Sequence, residues 1–401
     1  MTLNATNYSI SKSLFEKIAN AFKKAVTFIH RRGGYKPEYL ANEEVKPLIE
    51  NTYEAFSEAV DFGVKDNVIP EAMKMYLKNN TFVFSGFKTH QQLDRASRLL
   101  HDDDGYIKPF NRFLQDVKSI DKKYNRTYLQ AEYNFAVASA QSAGQWHDFS
   151  KYADRYYLQY RTAKDERVRE EHAILDGITL PMDDKFWDEF FPPNGWNCRC
   201  DVIQVSKKRY EPSNSSEALA RGRAATYKPN AEGVNKAAIF RFNPGKEQRI
   251  FMDKHPYFKT KDEKVVTNII RNSIRYSTKE KKEIAKELYA KYENLRYKNS
   301  SFGERSATIT QTSILKTFST PSVADVKLDI LHHIEDYLVA KKLKTEEPTD
   351  DKDKARLFFV LETTYKGNIK GFEKRPIQIL FRENQNKTID LYFIRILSDE
   401  I

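Results

Sequence analysis

The sequence predicts an α+β protein with a mainly α-helical N-terminal half, a loop-rich centre with short strands, and a small C-terminal domain of one helix and an antiparallel sheet. Three observations predict this class. Apolar residues recur at three- and four-residue spacing through much of residues 1–175, as they do on amphipathic helices. Glycines and prolines punctuate residues 177–257, and strand-like runs alternate with turn sequences within residues 323–401.

The N-terminal half is expected to be mainly helical. Apolar periodicity with few internal glycines or prolines predicts helices at 11–29, 44–62 and 105–124, and a longer one at 128–176. Residues 1–124 are therefore assigned to a helical N-terminal region.

The centre of the chain is expected to hold short elements. Brief strands are predicted at 200–205 and 238–242, and another near Thr308. Ser277 is the predicted N-cap of a helix over 277–297. These patterns assign a basic helical connector to 259–322, whereas the bounds of the core, 125–258, come from the resemblance of its motifs to a known family.

The last region, 323–401, reads as a separate α+β domain. An amphipathic helix is predicted at 326–343, followed by strands at 357–365, 376–382 and 388–397. Turn sequences around Gly367 and at 384–387 separate the strands, so the simplest topology is one helix followed by an antiparallel meander.

Length and composition limit the class of protein. The chain has 401 residues, which suggests two or three domains at ~100–200 residues each. No apolar run approaches the ~18 residues of a membrane span, and the start lacks an export signal. We therefore expect a soluble protein with no membrane partner. Its 2 cysteines cannot form a disulfide framework, which favours the interior of a cell or of a particle assembled there.

The positive charge is confined to one part of the chain. Residues 201–300 hold 23 basic and 12 acidic residues, which accounts for the whole excess of 11. Such a surface attracts phosphate backbones, although a solvated helix face is an equal alternative. The basic residues predicted to contact the phosphates of DNA are Lys207, Lys208, Arg209, Arg221, Arg223, Arg271 and Arg275.

The densest motif lies between residues 160 and 200. Asp165, Arg169, His172 and Asp176 are spaced 4, 3 and 4 apart, so on a helix they would line one face. The aromatic, proline-rich segment that follows is expected to fold over this stripe.

Cys198 and Cys200 end this motif and are too close in sequence for a comfortable disulfide. Two chemistries remain open. A structural zinc ion would take both thiolates, His172 and either His147 or His255. Alternatively, the two cysteines are buried and reduced beside Trp196, and His172 makes hydrogen bonds.

The motif resembles the phage Mu protein F-like head morphogenesis family, minor capsid proteins of tailed phages and prophages. The resemblance covers about residues 125–258 and includes the run Pro192-Pro193-Asn194-Gly195-Trp196-Asn197-Cys198-Arg199-Cys200. It implies association with portal and inner capsid proteins, in the virion or in the bacterial cytoplasm during assembly, and it implies no catalytic residues in the core. The other residues that carry it are Arg161, Asp165, Arg169, His172, Asp176 and Trp187.

The C-terminal domain resembles, in its order of elements, the phage-associated barnase/EndoU/colicin/RelE-like nucleases. This resemblance implies an alternative function, an adaptor that carries a metal-independent ribonuclease toxin acting on RNA. Such cleavage needs a base, a proton donor and a cation at the phosphate, for which His332, His333, Arg382 and Tyr392 have the right side chains. Each also has a structural interpretation: His333 is expected to be half-buried in packing and His332 to be exposed.

Overall fold

The computed structural model describes residues 9–227, 229–231, 233, 235–338, 343–348, 355–367, 369 and 371–397. These residues form two compact units. We call residues 9–69 and 73–270 the helical unit, and residues 70–72 and 271–397 the C-terminal unit. None of the described helices combines the length and the apolar character needed to cross a bilayer.

The helical unit begins as predicted. Helix α1 spans Lys12–Arg31, with the Ser11 side chain accepting a hydrogen bond from the Leu14 amide at 3.1 Å, and α2 spans Lys46–Gly63. The helix predicted at 105–124 is instead divided, because ψ of Val117 is −8° at its middle. The remaining helices of this part are α3 Glu71–Ser97, α4 Phe110–Asp116, α5 Lys118–Lys122, a π-helical turn Lys123–Tyr128, and α6 Leu129–Ser150.

A buried ion pair joins α3 to α6 inside this unit. Lys88 Nζ lies 2.6 Å from Glu132 Oε2, and the exposed fractions of the two side chains are 0% and 3%. The Tyr257 hydroxyl donates to the other carboxylate oxygen at 2.8 Å. Burial lowers the pKa of Lys88, which the attached carboxylate opposes. The core around this ion pair is aromatic: the rings of Phe84 and Phe251 are stacked, with 3.6 Å between their centroids.

The prediction of one helix over 128–176 is wrong. Helix α6 ends at Ser150, and the chain then forms a three-stranded antiparallel sheet with the order β2-β1-β3. Its strands are β1 Tyr156–Arg161, β2 Thr179–Leu180 and β3 Asp201–Ser206; α7 Glu170–Ala173 lies between β1 and β2 in sequence, and α8 Phe186–Phe190 between β2 and β3. The pairing of β1 with both β2 and β3 stabilises it as a strand, despite the helix-like spacing of its residues.

The rest of the centre is short helices. The strand predicted at 238–242 is wrong, because a 3₁₀ turn occupies Lys236–Phe240 and the Asn235 side chain caps it through the Ala237 amide at 3.1 Å. Ser277 caps the predicted connector helix in a reciprocal capping box with Glu280. The helices are α9 Ser215–Thr226, α10 Pro244–Glu247, α11 Glu263–Asn272 and α12 Thr278–Tyr292.

The C-terminal unit is a six-stranded sheet with helices. Its order is β4-β5-β9-β8-β7-β6, and β5 pairs with β9 in parallel while the other pairs are antiparallel. The predicted meander is present as β7, β8 and β9, but the sheet is mixed, not antiparallel throughout. The strands are β4 Tyr297–Lys298, β5 Ser306–Thr308, β6 Lys344–Glu346, β7 Ala355–Thr364, β8 Pro376–Asn384 and β9 Ile389–Ile396.

Two features of this unit differ from the prediction. Strands β4 and β5 precede residue 323, so the sheet includes chain that the sequence assigned to the connector. The helix predicted at 326–343 breaks at His333, where φ is −113° and ψ 26°, into two helices. Helix α13 spans Gln311–Thr317, α14 Ala324–His332 and α15 Ile334–Leu338, and residues 339–342 lie outside the described residues.

Candidate metal centre

The small sheet of the helical unit holds the two cysteines beside a histidine. Strands β1 and β3 pair along their whole length, with Tyr160 opposite Val202. Cys200 immediately precedes β3 and therefore lies at the end of β1 that carries Tyr160. His172 comes from α7, whose chain connects β1 to β2. The sheet thus fixes both ends of the segment that supplies the three side chains.

The three donor atoms converge. His172 Nδ1 lies 3.6 Å from Cys198 Sγ and 3.5 Å from Cys200 Sγ, and all three ligand atoms lie within 4.8 Å of one another. His172 and Cys200 are buried, and Cys198 is half-buried. Hydrogen bonds with Cys200 and His172 lower the pKa of the Cys198 thiol well below its usual value, whereas the bond with Cys198 and burial raise the pKa of Cys200.

These distances fit a zinc ion. Zn–S bonds of about 2.3 Å and Zn–N bonds of about 2.0–2.1 Å at tetrahedral angles place a thiolate sulfur and an imidazole nitrogen about 3.5–3.6 Å apart. The observed separations of 3.5 and 3.6 Å match this spacing. Two thiolates and one imidazole are also donors that zinc prefers.

The predicted fourth ligand is wrong. Among the described residues, the metal-capable group at this site has three members, and neither His147 nor His255 belongs to it. His255 lies in the aromatic core of the helical unit, where Nδ1 accepts from the Tyr257 amide at 3.3 Å. Burial and the Lys88 charge lower the pKa of His255 to about 3.

The predicted helical stripe around His172 is also wrong in form, because only Glu170–Ala173 is helical there. Its charged residues instead connect loops. Both oxygens of Asp165 accept from Arg199 at 2.5 Å, and Arg169 Nη2 donates to the Trp196 carbonyl at 2.6 Å. Asp176 Oδ1 accepts from the Thr162 amide at 2.8 Å. The stripe therefore closes the loops around the three donor atoms.

The comparisons with known proteins agree with the motif. Residues 107–203 match the family model described as "Phage Mu protein F like protein". This segment belongs to the Mu F-like family. The putative capsid assembly protein F of Escherichia phage Mu is 44% identical over 82 residues, and the Mu-like prophage FluMu F protein of Haemophilus influenzae is 33% identical over 82 residues. Each alignment covers 20% of this chain and 19% of the relative.

The chain thus spans about a fifth of the length of the curated relatives it matches. No solved structure matches. The Mu F-like segment, residues 107–203, contains the whole candidate metal centre. The match starts before the predicted core at 125–258 and ends within β3, so residues 204–258 of that core lie outside it.

Two of the three tryptophans in the Mu F-like segment, Trp187 and Trp196, have separate packing roles. Trp187 is fully buried and its Nε1 donates to the Pro181 carbonyl at 2.9 Å. Trp196 is half-buried, and its ring packs edge-on against Phe135 and Phe240. Arg161 is the last residue of β1 and lies opposite Asp201 of β3. Trp196 therefore attaches the cysteine loop to the helical core.

The predicted DNA-contacting residues divide between the two units. Lys208, Arg209 and Arg221 are exposed, whereas Lys207 Nζ donates to the Ala153 carbonyl at 2.8 Å and Arg223 pairs with Glu189. All five belong to the helical unit.

The two arginines of this set that belong to the C-terminal unit, Arg271 and Arg275, bond to groups within that unit. Arg271 is buried and bonded to Asp325 at 2.5 Å, so in this structure it does not face solvent and the prediction that it contacts DNA is corrected. Arg275 donates to the carbonyls of Asn272 and Ile274, each at 2.7 Å.

The predicted nuclease residues of the C-terminal unit do not form one cluster of contacts. Arg382 lies with its guanidinium carbon 5.1 Å from the Tyr392 ring centroid and pairs with Asp390 at 3.1 Å. His332 instead bonds to the Tyr292 hydroxyl at 2.8 Å, and His333 Nδ1 lies 3.0 Å from the Asp329 carbonyl.

The expected exposures of the two histidines are reversed. His332 is half-buried, and burial lowers its pKa to about 4, while the side chain of His333 is 59% exposed. The break between α14 and α15 turns His333 toward solvent. Sequence reasoning also missed Lys316, whose Nζ lies 3.5 Å from the Tyr392 ring centroid, because α13 was not predicted as part of this unit.

Proposed function

We propose that this chain is a head morphogenesis protein of a tailed phage or prophage, and that a zinc ion on His172, Cys198 and Cys200 holds its Mu F-like segment closed. The observation that carries the proposal is the match of residues 107–203 to the Mu F-like family, whose phage Mu relative is named a putative capsid assembly protein. The core of the segment has a structural role in this proposal and is not an enzyme.

The proposed zinc would act as a cross-link. A tetrahedral ion bound to side chains from two separated segments contributes folding free energy directly. Here it would connect α7 to the loop that precedes β3. The Asp165–Arg199 and Arg169–Trp196 contacts hold the same loops, so these residues would keep the donor atoms in place when the metal arrives.

The proposed partners are portal and capsid proteins, and the proposed location is the virion or the bacterial cytoplasm during assembly. Among the residues predicted to contact DNA, Lys208, Arg209 and Arg221 are exposed and have no ion pair within the described part of the chain, so we propose that they contact phosphates of packaged DNA. Portal association follows from the family resemblance alone and stays a prediction.

Replacing His172 with glutamine is expected to reduce the yield of filled heads by roughly tenfold, because losing a metal that is part of the fold lowers the amount of folded protein. The measurement is a count of infectious or DNA-filled particles when the variant replaces the wild-type chain. His147→Gln is the matched control, because His147 lies in the same unit but outside the donor group. Normal head yield with His172→Gln would contradict the proposal.

A second candidate function, a metal-independent ribonuclease toxin, rests on the C-terminal unit. The observation that favours it is the closeness of Arg382 and Tyr392, which puts a cation beside a hydroxyl-bearing ring. The contacts of His332 and His333 are made elsewhere, so the base and proton donor of this reaction stay predictions. Intact total RNA after incubation with the whole chain would rule this candidate out.

A further inference from the structure

A buried tyrosine lies beside the candidate metal centre. Tyr160 sits on β1 with its side chain fully buried, and its hydroxyl lies 2.8 Å from Asn194 Oδ1. Cys200 belongs to the same buried cluster as Tyr160, and burial and the Cys200 side chain together raise the pKa of Tyr160. Tyr160 therefore has one proton to donate and two possible acceptors.

Asn194 provides the second observation. It is buried, and its Nδ2 has no hydrogen-bond partner within the described part of the chain. A half-turn of the amide exchanges Oδ1 and Nδ2, which have nearly the same shape. In that orientation Nδ2 donates to the Tyr160 oxygen, and the Tyr160 proton becomes free for Cys200. The buried Nδ2 donor thereby gains a partner. Asn194 Oδ1 loses its partner, but a carbonyl oxygen costs less than an N–H group to leave unpaired.

From this arrangement we infer that Tyr160 is a positioning residue for the metal centre: its hydroxyl donates a hydrogen bond to the Cys200 thiolate, and Asn194 Nδ2 donates to the Tyr160 oxygen. The inference rests on the proposed zinc site. It assigns no catalytic role to either residue.

The hydrogen bond has a defined consequence for the metal. A donor to a ligand sulfur disperses part of the thiolate charge, fixes the orientation of the sulfur and competes with protonation. Partners of this kind commonly change metal affinity by about 10–100-fold when they are removed. Because Tyr160 and Asn194 are buried, water cannot readily replace the lost bond.

The test is the zinc affinity of Tyr160→Phe in the full chain, measured by competition with a chromophoric chelator. We expect zinc to bind at least about tenfold more weakly than in the wild type. Tyr156→Phe is the control, since Tyr156 lies on the same strand but is not beside the cysteines in the register; its affinity should stay within about twofold. Equal affinities for the two variants would overturn the inference.

Two further measurements keep the test decisive. Thermal unfolding of the metal-free forms shows whether Tyr160→Phe still folds, and the inference requires the loss to appear in the zinc-dependent increase of Tm. If Tyr160→Phe does not fold, Asn194→Ala replaces it. We expect this variant to bind zinc as the wild type does or more weakly, because it loses only the donor to Tyr160.

Tighter zinc binding by Asn194→Ala would show that Asn194 accepts the Tyr160 hydrogen bond in the wild type and so withholds it from Cys200. This result would overturn the inference. A wild-type chain that binds no zinc would reject the proposed metal site and this inference together. A wild-type chain that binds zinc, with Tyr160→Phe unaffected, would reject this inference alone.

Discussion

Replacing Glu132 with alanine is expected to lower the free energy of unfolding by about 3–5 kcal/mol, because removing one partner of a buried ion pair leaves an uncompensated charge. Lys88 would keep its ammonium group inside the core, where the side chain is 0% exposed. The Tyr257 hydroxyl would lose its acceptor as well. Urea unfolding of the wild type and the variant at neutral pH measures the difference.

Two controls isolate the buried charge as the cause. The double variant Lys88→Met/Glu132→Leu removes both charges and should recover most of the lost stability. Glu54→Ala removes an acid from the Lys17–Glu54 pair, whose side chains are 53% and 41% exposed, and should cost less than ~1 kcal/mol. A Glu132→Ala variant no less stable than Glu54→Ala would show that Lys88 finds another partner.

Replacing Trp187 with alanine is expected to cost about 3–5 kcal/mol, the range for deleting a large aromatic side chain from a core. Trp187 is fully buried, packs edge-on against Phe186 at 5.0 Å and donates to the Pro181 carbonyl. The cavity would lie within the core cluster that also contains Cys200. Chemical denaturation with and without excess zinc measures both the cost and its connection to the metal centre.

Tyr106→Ala is the control for this variant, because the side chain is 74% exposed in the same unit. It should change stability by no more than ~0.5 kcal/mol. A loss of less than ~1 kcal/mol for Trp187→Ala would contradict the packing described for the Mu F-like segment.

The helices that the sequence predicts best are those whose local signals agree. For α12, Ser277 is the predicted N-cap, and the structure confirms this cap. For α1, apolar periodicity predicts a helix from residue 11, and the Ser11 side chain caps the helix that begins at Lys12. Strand β1 was missed because its residues continue a helix-like pattern from α6. Pairing with β2 and β3, which both lie further along the chain, stabilises it as a strand.

The C-terminal sheet shows a second limit. Strands β7, β8 and β9 follow one another with short turns, so local patterns predict them. Strand β5 joins the same sheet by pairing in parallel with β9, and its residues pair with residues 82 positions further along the chain, as Ala307 does with Ile389. Nothing in the sequence around Thr308 specifies that partner, because parallel pairing depends on a distant strand.

The candidate metal centre was predictable in part. Cys198, Cys200 and His172 have ligand side chains in one motif, and the structure brings their donor atoms within 4.8 Å. The helix that was expected to present His172 is only one turn long, and a different set of loop contacts places the imidazole. His255 was a reasonable fourth ligand by residue type, but its position depends on core packing that sequence spacing does not determine.

The proposed zinc ion in the Mu F-like segment is tested most directly by metal analysis of the full chain purified without chelator. We predict about one zinc per chain in the wild type, and a value near zero for the double variant Cys198→Ser/Cys200→Ser. Fewer than ~0.2 zinc per wild-type chain, or unchanged zinc in the double variant, would contradict the account.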